Sequence, residues 1–258
     1  MSSAAVWQLH QNSAQLCAIH RRASVQLDQP ADGVKGIGDE RNSLISGRLF
    51  GVEVDGTADA PTPIAVIDRY VRQNDLVATY ESSASTNLRA QVYWRYRWEE
   101  SGGESQVGGR GDGIHLITSL QTDCLDLQPK LRLVSELPVV ELLTLATPDS
   151  QQLTRILDRE GAAQSQVTRS ESPLWLVRVP DDVCSVVLMT MPDDLARTKI
   201  TVGDPYWRLE FQLLGGHLEK GVIRRAQAAA WFVPRVGDDF WARRLFWQFN
   251  ASPPPLTT

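Results

Sequence analysis

Cysteine is scarce and scattered in this chain. Cys17, Cys124 and Cys184 are far apart, odd in number, and show no CxxC or CxxxH spacing. That argues against a disulfide scaffold and removes the sequence basis for a structural zinc site, so no metal ligands are assigned. Cys124 and Cys184 have apolar neighbours, and buried free thiols in a reducing compartment are expected. Long hydrophobic runs are missing too: nothing approaches the roughly 18 consecutive apolar residues of a membrane span. The segment Met1–Gln8 has neither a basic start nor an apolar stretch of leader length. A soluble, unexported, cytoplasmic protein with no membrane partner is therefore expected. Basic stripes are absent as well. Arginines pair at 21–22, 224–225 and 243–244 without extending, and the net charge is −5, which weighs against a nucleic-acid partner. The glycines of Gly33–Arg41 do not spell a phosphate-binding loop, and GxGxxG and GxSxG are both missing. No cofactor is implied, and a nucleophilic hydrolase has no support.

What the chain does have is alternation with a period of two. Segments at 6–10, 15–20, 25–28, 47–55, 64–72, 76–81, 88–98, 113–120, 131–134 and 139–143 carry apolar residues at every second position or in short runs. They are separated by turn chemistry such as Gln11-Asn12-Ser13 and Asp55-Gly56. Two buried strands are expected at 174–179 and 183–191, and two long ones within Pro205–Arg235, meeting at the Gly-rich bend 215–221. The glycine- and charge-rich segments 33–46 and 101–113 read as loops, the second containing Arg110-Gly111-Asp112 as a chance tripeptide. Helical spacing occurs twice: Leu153, Ile156 and Leu157 predict a short helix over 150–159, and Trp241, Leu245 and Phe249 a longer one behind Asp238-Asp239. The aromatic load of that second helix suits docking on a sheet, with any exposed remainder available for a dimer contact.

Many short strands, few helices and no βαβ rhythm predict a mainly β protein, a large antiparallel β-sandwich with a C-terminal helix. One domain over 1–258 is expected, with Thr147–Gln166 as the least cohesive point between halves 1–147 and 167–258.

Two constellations carry chemistry. His217 and Glu219 stand two apart at the bend, a spacing that puts both on one side of an extended strand, about 6.5–7 Å apart. That suits an acid/base pair, and His115, on a strand after a Gly-rich loop, is the histidine best placed to join them. The same glycines also allow a sharp bend that leaves His217 and Glu219 in solvent. The second constellation is the polar face of strand 88–98: Arg89, Tyr93, Arg95 and Arg97, with Gln91 among them. Arginine donates a bidentate fork and tyrosine a flat amphipathic ring, a surface suited to a carbohydrate or another polar small molecule, or to a protein partner. Equally, these arginines can pair with acids on neighbouring strands. The opposite face, with Trp94, Tyr96 and Trp98, is expected in the core.

A large sandwich with His and Glu near a concave face resembles, in architecture, the galactose-mutarotase-like supersandwiches of sugar epimerases and lyases. The resemblance implies two histidines and a carboxylate converging on one sugar ring, a set that His217, His115 and Glu219 would supply. Binding without catalysis through the Arg/Tyr face is the preferred expectation, an isomerase or epimerase the alternative. Oligomeric state is not legible.

Overall fold

The computed structural model describes residues 6–38, 45–54, 64–81, 87–100, 110–145, 152–158, 167–180 and 184–253. In the first part of the chain lie β1 (Trp7–His10), β2 (Ser13–Cys17), β3 (Arg22–Gln26), β4 (Val34–Gly38), β5 (Ile45–Val54), β6 (Val66–Arg72), β7 (Asp75–Tyr80), β8 (Leu88–Glu100), β9 (Arg110–Thr122) and β10 (Asp126–Leu127). They are followed by β11 (Leu131–Leu137), β12 (Glu141–Leu145), β13 (Leu153–Asp158), β14 (Val167–Ser170), β15 (Leu174–Arg178), β16 (Cys184–Thr190), β17 (Leu195–Thr201), β18 (Trp207–Leu213), β19 (Leu218–Glu219) and β20 (Ile223–Pro234). One α-helix, α1 (Asp238–Asn250), comes after them.

Two nine-stranded antiparallel sheets result. Sheet I has the order β1-β2-β3-β4-β5-β11-β18-β17-β14, sheet II the order β13-β12-β15-β16-β20-β9-β8-β7-β6, and β10 and β19 form a separate two-stranded ribbon. The inward face of each long strand supplies a shared core. Leu88, Ala90, Val92, Trp94 and Tyr96 of β8 and Ala226, Ala228, Ala230 and Phe232 of β20 meet Leu49, Phe50, Leu133, Trp207, Leu209 and Phe211 of sheet I. The antiparallel sandwich with a C-terminal helix that alternation predicts is the fold observed. No helix among the described residues is long and apolar enough to cross a membrane.

Helix α1 lies on the outer face of sheet II. Trp241, Ala242, Leu245, Phe246 and Phe249 pack on Leu174, Leu176, Val187, Met189, Ala229, Trp231 and Val233. Strand β16 is therefore buried at all seven positions, covered by sheet I on one side and the helix on the other. This is why 183–191 reads as a continuous apolar run rather than an alternating one. The start of α1 is fixed by a buried carboxylate. Asp238 accepts two hydrogen bonds from Arg178, at 3.0 and 2.9 Å, and one from Ser185 Oγ at 2.7 Å, while Arg178 also donates to Glu141 at 2.6 Å.

Several expectations are corrected. The segment 150–159 does not form a helix: β13 pairs with the free edge of β12. Leu142 lies opposite Leu157 and Leu143 opposite Arg155, so Ile156 is an extra, bulged residue. A bulge of one residue breaks the two-residue rhythm and leaves spacings that mimic a helix. The stretch 33–46 contains a strand, β4, whose Val34 and Ile37 are fully buried, with a register shift around Gly36. Strand β17 was not anticipated. The strands on either side of 215–221 do not pair with each other: β18 lies in sheet I and β20 in sheet II, so the bend is a crossing between sheets. Arg110-Gly111-Asp112 belongs to β9 and not to a loop. Residues 101–109 and most of Thr147–Gln166 lie outside the described residues.

Candidate functional site

Among the described residues, helix α1 packs on β15, β16 and β20 of sheet II, and beside it the outer face of β8 carries a strip of half-buried and exposed polar side chains. Alternation along β8 turns Arg89, Gln91, Tyr93, Arg95 and Arg97 outward on this strip, because their neighbours face the sandwich core. Cross-strand register builds one polar row over it: Asp75 of β7, Arg95 of β8, His115 of β9 and Ala229 of β20 are mutual neighbours. Where this row meets the end of α1 there is a cavity of about 570 Å³. Arg95, Arg97, Trp98, His115, Ile117, Gln227 and Trp231 line it from the sheet, and Leu245, Gln248, Phe249, Ser252 and Pro253 from the helix side. Its size is within the roughly 300–1,000 Å³ of small-molecule sites.

The charges around the cavity are unevenly matched. Arg95 forms a two-pronged pair with Asp75 at 2.6 and 2.8 Å. Glu99, on the cavity wall, accepts hydrogen bonds from Arg244 at 3.0 Å and Gln248 at 2.8 Å, so it latches the strand to the helix. Arg97 is exposed at the rim and makes no hydrogen bond or ion pair with any described residue. Partial burial, then repulsion from Arg95, hold its pKa below the usual arginine value, partly offset by Asp75. It remains a full cation at any working pH.

His115 sits between two aromatic rings, Trp231 and Phe249, each with its centroid 5.5 Å away and nearly perpendicular. Burial first, then Arg97 and Arg95, push its pKa down to about 3, so the imidazole is neutral near pH 7. Its Nε2 and the Trp231 Nε1 are both buried with no hydrogen-bond partner among the described residues. Trp98 is 55% exposed, because the inter-sheet core ends on β8 at Tyr96. It belongs to the cavity wall, which corrects its expected place in the core.

Arg95, Arg97 and His115 are thus brought together. Tyr93 is one step further along β8, where its hydroxyl donates to Gln91 Oε1 at 2.7 Å and Gln91 donates to Thr79 at 2.9 Å; it does not line the cavity. Arg89 is six residues from Arg95, about 20 Å of extended strand.

His217 and Glu219 are elsewhere. Gly221 N–H donates to the Thr122 carbonyl at 3.2 Å, which ties the bend to the end of β9, seven residues or about 23 Å of strand from His115. There Glu219 is exposed and lies opposite Asp126 in the β10-β19 ribbon. The His217 ring is 2.7 Å from Asp126 Oδ1 through Nδ1 and 3.1 Å from the Gln128 amide nitrogen through Nε2. An amide NH₂ can only donate, so Nε2 accepts and the Nδ1 proton goes to Asp126. Both partners of that dyad are more than half exposed. Among the described residues, no group of three His, Cys, Asp or Glu side chains is arranged to hold a metal ion.

Sequence reasoning also missed Gln227, Gln248, Trp231 and Phe249. Gln227 offered one signal, a lone polar residue inside the alanine run 226–230.

No protein-family model and no curated protein matches the chain. Solved structures do. A TPR-domain containing protein from Parabacteroides distasonis ATCC 8503 superposes with a TM-score of 0.57 at 11% identity, over 86% of this chain and 47% of its own. What is shared is the fold. The chain spans about half the length of that protein. A provisionally assigned aldose 1-epimerase from Klebsiella pneumoniae subsp. pneumoniae MGH 78578 matches more loosely, with a TM-score of 0.47 at 7% identity, over 95% of this chain and 87% of its own.

Proposed function

We propose that this protein binds a small carbohydrate or a related polar molecule, without catalysis, in the cavity between sheet II and α1. The observation that carries the reading is the lining: guanidinium groups at Arg95 and Arg97 and an amide at Gln227 on the sheet side, an amide at Gln248 on the helix side, an exposed Trp98 at the border, and otherwise largely apolar surface. Flat rings present a stacking surface for the C–H face of a sugar, while guanidinium and amide groups reach hydroxyls. A few polar groups converging in a mostly apolar concavity is the usual make-up of a small-molecule site.

Binding is favoured over turnover by the state of the titratable groups. The neutral His115 has its Nε2 sealed from the cavity, and the Glu99 carboxylate is committed to Arg244 and Gln248. Neither is poised to exchange a proton with a ligand. Isothermal titration against a panel of mono- and oligosaccharides tests the reading, with tryptophan fluorescence as a second signal. Trp98→Ala is expected to weaken any observed binding about tenfold or more, in line with the loss of one stacked ring. Arg95→Ala is expected to weaken it as well, whereas Arg89→Ala leaves it unchanged. Absence of binding across the panel, or equal binding by Trp98→Ala, overturns the proposal.

A further inference from the structure

We propose that the ligand of this cavity is an acid: a sugar carrying a carboxylate, held by the Arg97 guanidinium. This inference rests on the reading of the cavity as a carbohydrate site and adds the charge that the ligand must bring.

The argument is one of unmatched charge. Five charged side chains surround the cavity, and four are accounted for in pairs. Arg95 is neutralised by Asp75 through two short hydrogen bonds, and Glu99 by Arg244. His115 contributes no charge near neutral pH. Arg97 is left over: it makes no hydrogen bond or ion pair with a described residue, and the Asp75 carboxylate that it feels is already committed to Arg95. A guanidinium that is partly desolvated and repelled by a neighbouring arginine is held at a cost, and an anion in the cavity removes that cost. The planar fork of Arg97 offers two parallel N–H donors, the geometry that a carboxylate accepts.

The rest of the lining limits what the carboxylate is attached to. Trp98 also borders the cavity, but it follows Arg97 on an unbroken strand and starts from the opposite face of β8, so the guanidinium and not the indole fixes where the anion sits. Trp231 and Ile117 of the sheet and Leu245 and Phe249 of the helix offer the ligand only apolar surface. The amides of Gln227 and Gln248 are the remaining polar groups, and the Gln248 carbonyl is still free to accept because its nitrogen is the part given to Glu99. A phosphate dianion would leave one charge unmatched by a single guanidinium; a carboxylate monoanion balances it.

A free hexuronate and a uronate residue inside a longer glycan present the same chemistry, and the experiment separates them. D-glucuronate, D-galacturonate and tri-galacturonate are titrated calorimetrically into the full chain, beside D-glucose, D-galactose and methyl galacturonate as uncharged counterparts. The acids are expected to bind about tenfold or more tightly than their neutral counterparts, the scale of one charge-assisted hydrogen-bonded pair. Arg97→Gln is expected to erase that preference, and Arg97→Lys to restore part of it. Arg97 is exposed and makes no hydrogen bond or ion pair with a described residue, so the melting temperature of neither variant is expected to fall below that of the parent protein, which serves as the folding control. Tighter binding of the trimer than of the monomer assigns the glycan form, and equal binding the free acid. If acids and neutral sugars bind within twofold, or Arg97→Gln keeps the preference, the acid inference falls while the carbohydrate reading stands. If none of the six binds, both fall.

Discussion

His115 is a histidine that the fold keeps from titrating. Enclosed by Trp231 and Phe249 and faced by Arg97 and Arg95, it holds no proton until the pH nears 3, against an ordinary value of 6.5. Between those two values the unfolded chain takes up a proton that the folded one refuses. Stability is therefore fully retained above about pH 6.5 and is lost as the pH falls toward 3, at no more than about 1.4 kcal/mol per pH unit. Asparagine has similar reach and does not titrate. Urea denaturation at pH 7 and pH 5 is expected to show His115→Asn losing less stability over that interval than the parent protein. Equal losses would mean that the imidazole is solvated in the folded state. Residues of this kind mark the limit of what the chain reveals when read linearly. Arg95 and Arg97 could be placed on one face from the alternation of β8 alone. That His115 would join them depends on the register of β8 with β9, and no local pattern specifies it. The closeness of His217 and Glu219 in sequence did not reveal that His217 bonds to Asp126 and Gln128 of another segment, nor how far both lie from His115.

At the scale of elements, strands were legible wherever alternation ran unbroken, as in β8, β7 and β20. They were missed where a bulge inserted a residue, as at Ile156 of β13, or where glycine punctuated a paired strand, as at Gly36 of β4. Helix α1 was recognisable from its stripe, but not its seat on sheet II, which depends on Leu174, Leu176, Val187 and Met189 being apolar on the outward side. The seat is fixed at one end by Asp238. Asp238→Ala leaves Arg178 with Glu141 alone and Ser185 without its acceptor. It is expected to cost about 3 kcal/mol in chemical denaturation and to raise amide exchange across Asp238–Asn250 ahead of the sheets. Because Leu245, Gln248 and Phe249 form one wall of the cavity, the same variant is expected to weaken ligand binding without touching the lining.

At the scale of the whole molecule, an ion pair set within the shared core joins the two sheets. Arg21, in the connection between β2 and β3 of sheet I, donates to both oxygens of Asp112 on β9 of sheet II at 2.7 and 2.6 Å, with its guanidinium 4.0 Å over the Phe232 ring. Both side chains are less than a tenth exposed. Asp112→Ala leaves a buried cation and is expected to cost about 3–5 kcal/mol, whereas replacing both partners by apolar residues of similar volume is expected to be near neutral. A double-mutant cycle by urea denaturation separates the two. Folding is expected on the slow side, in the millisecond-to-second range of two-sheet topologies, since β5 pairs with β11 and β9 with β20 across long stretches of chain.

An apolar interface resists being pulled apart but tolerates sliding, since one methyl group serves about as well as another. A two-pronged ionic contact in such an interface acts as a dowel: it has one position at which both prongs engage. The doubly apolar variant, though stable, would lose that alignment, and the expected signature is dye binding and broadened methyl resonances at an unchanged denaturation midpoint.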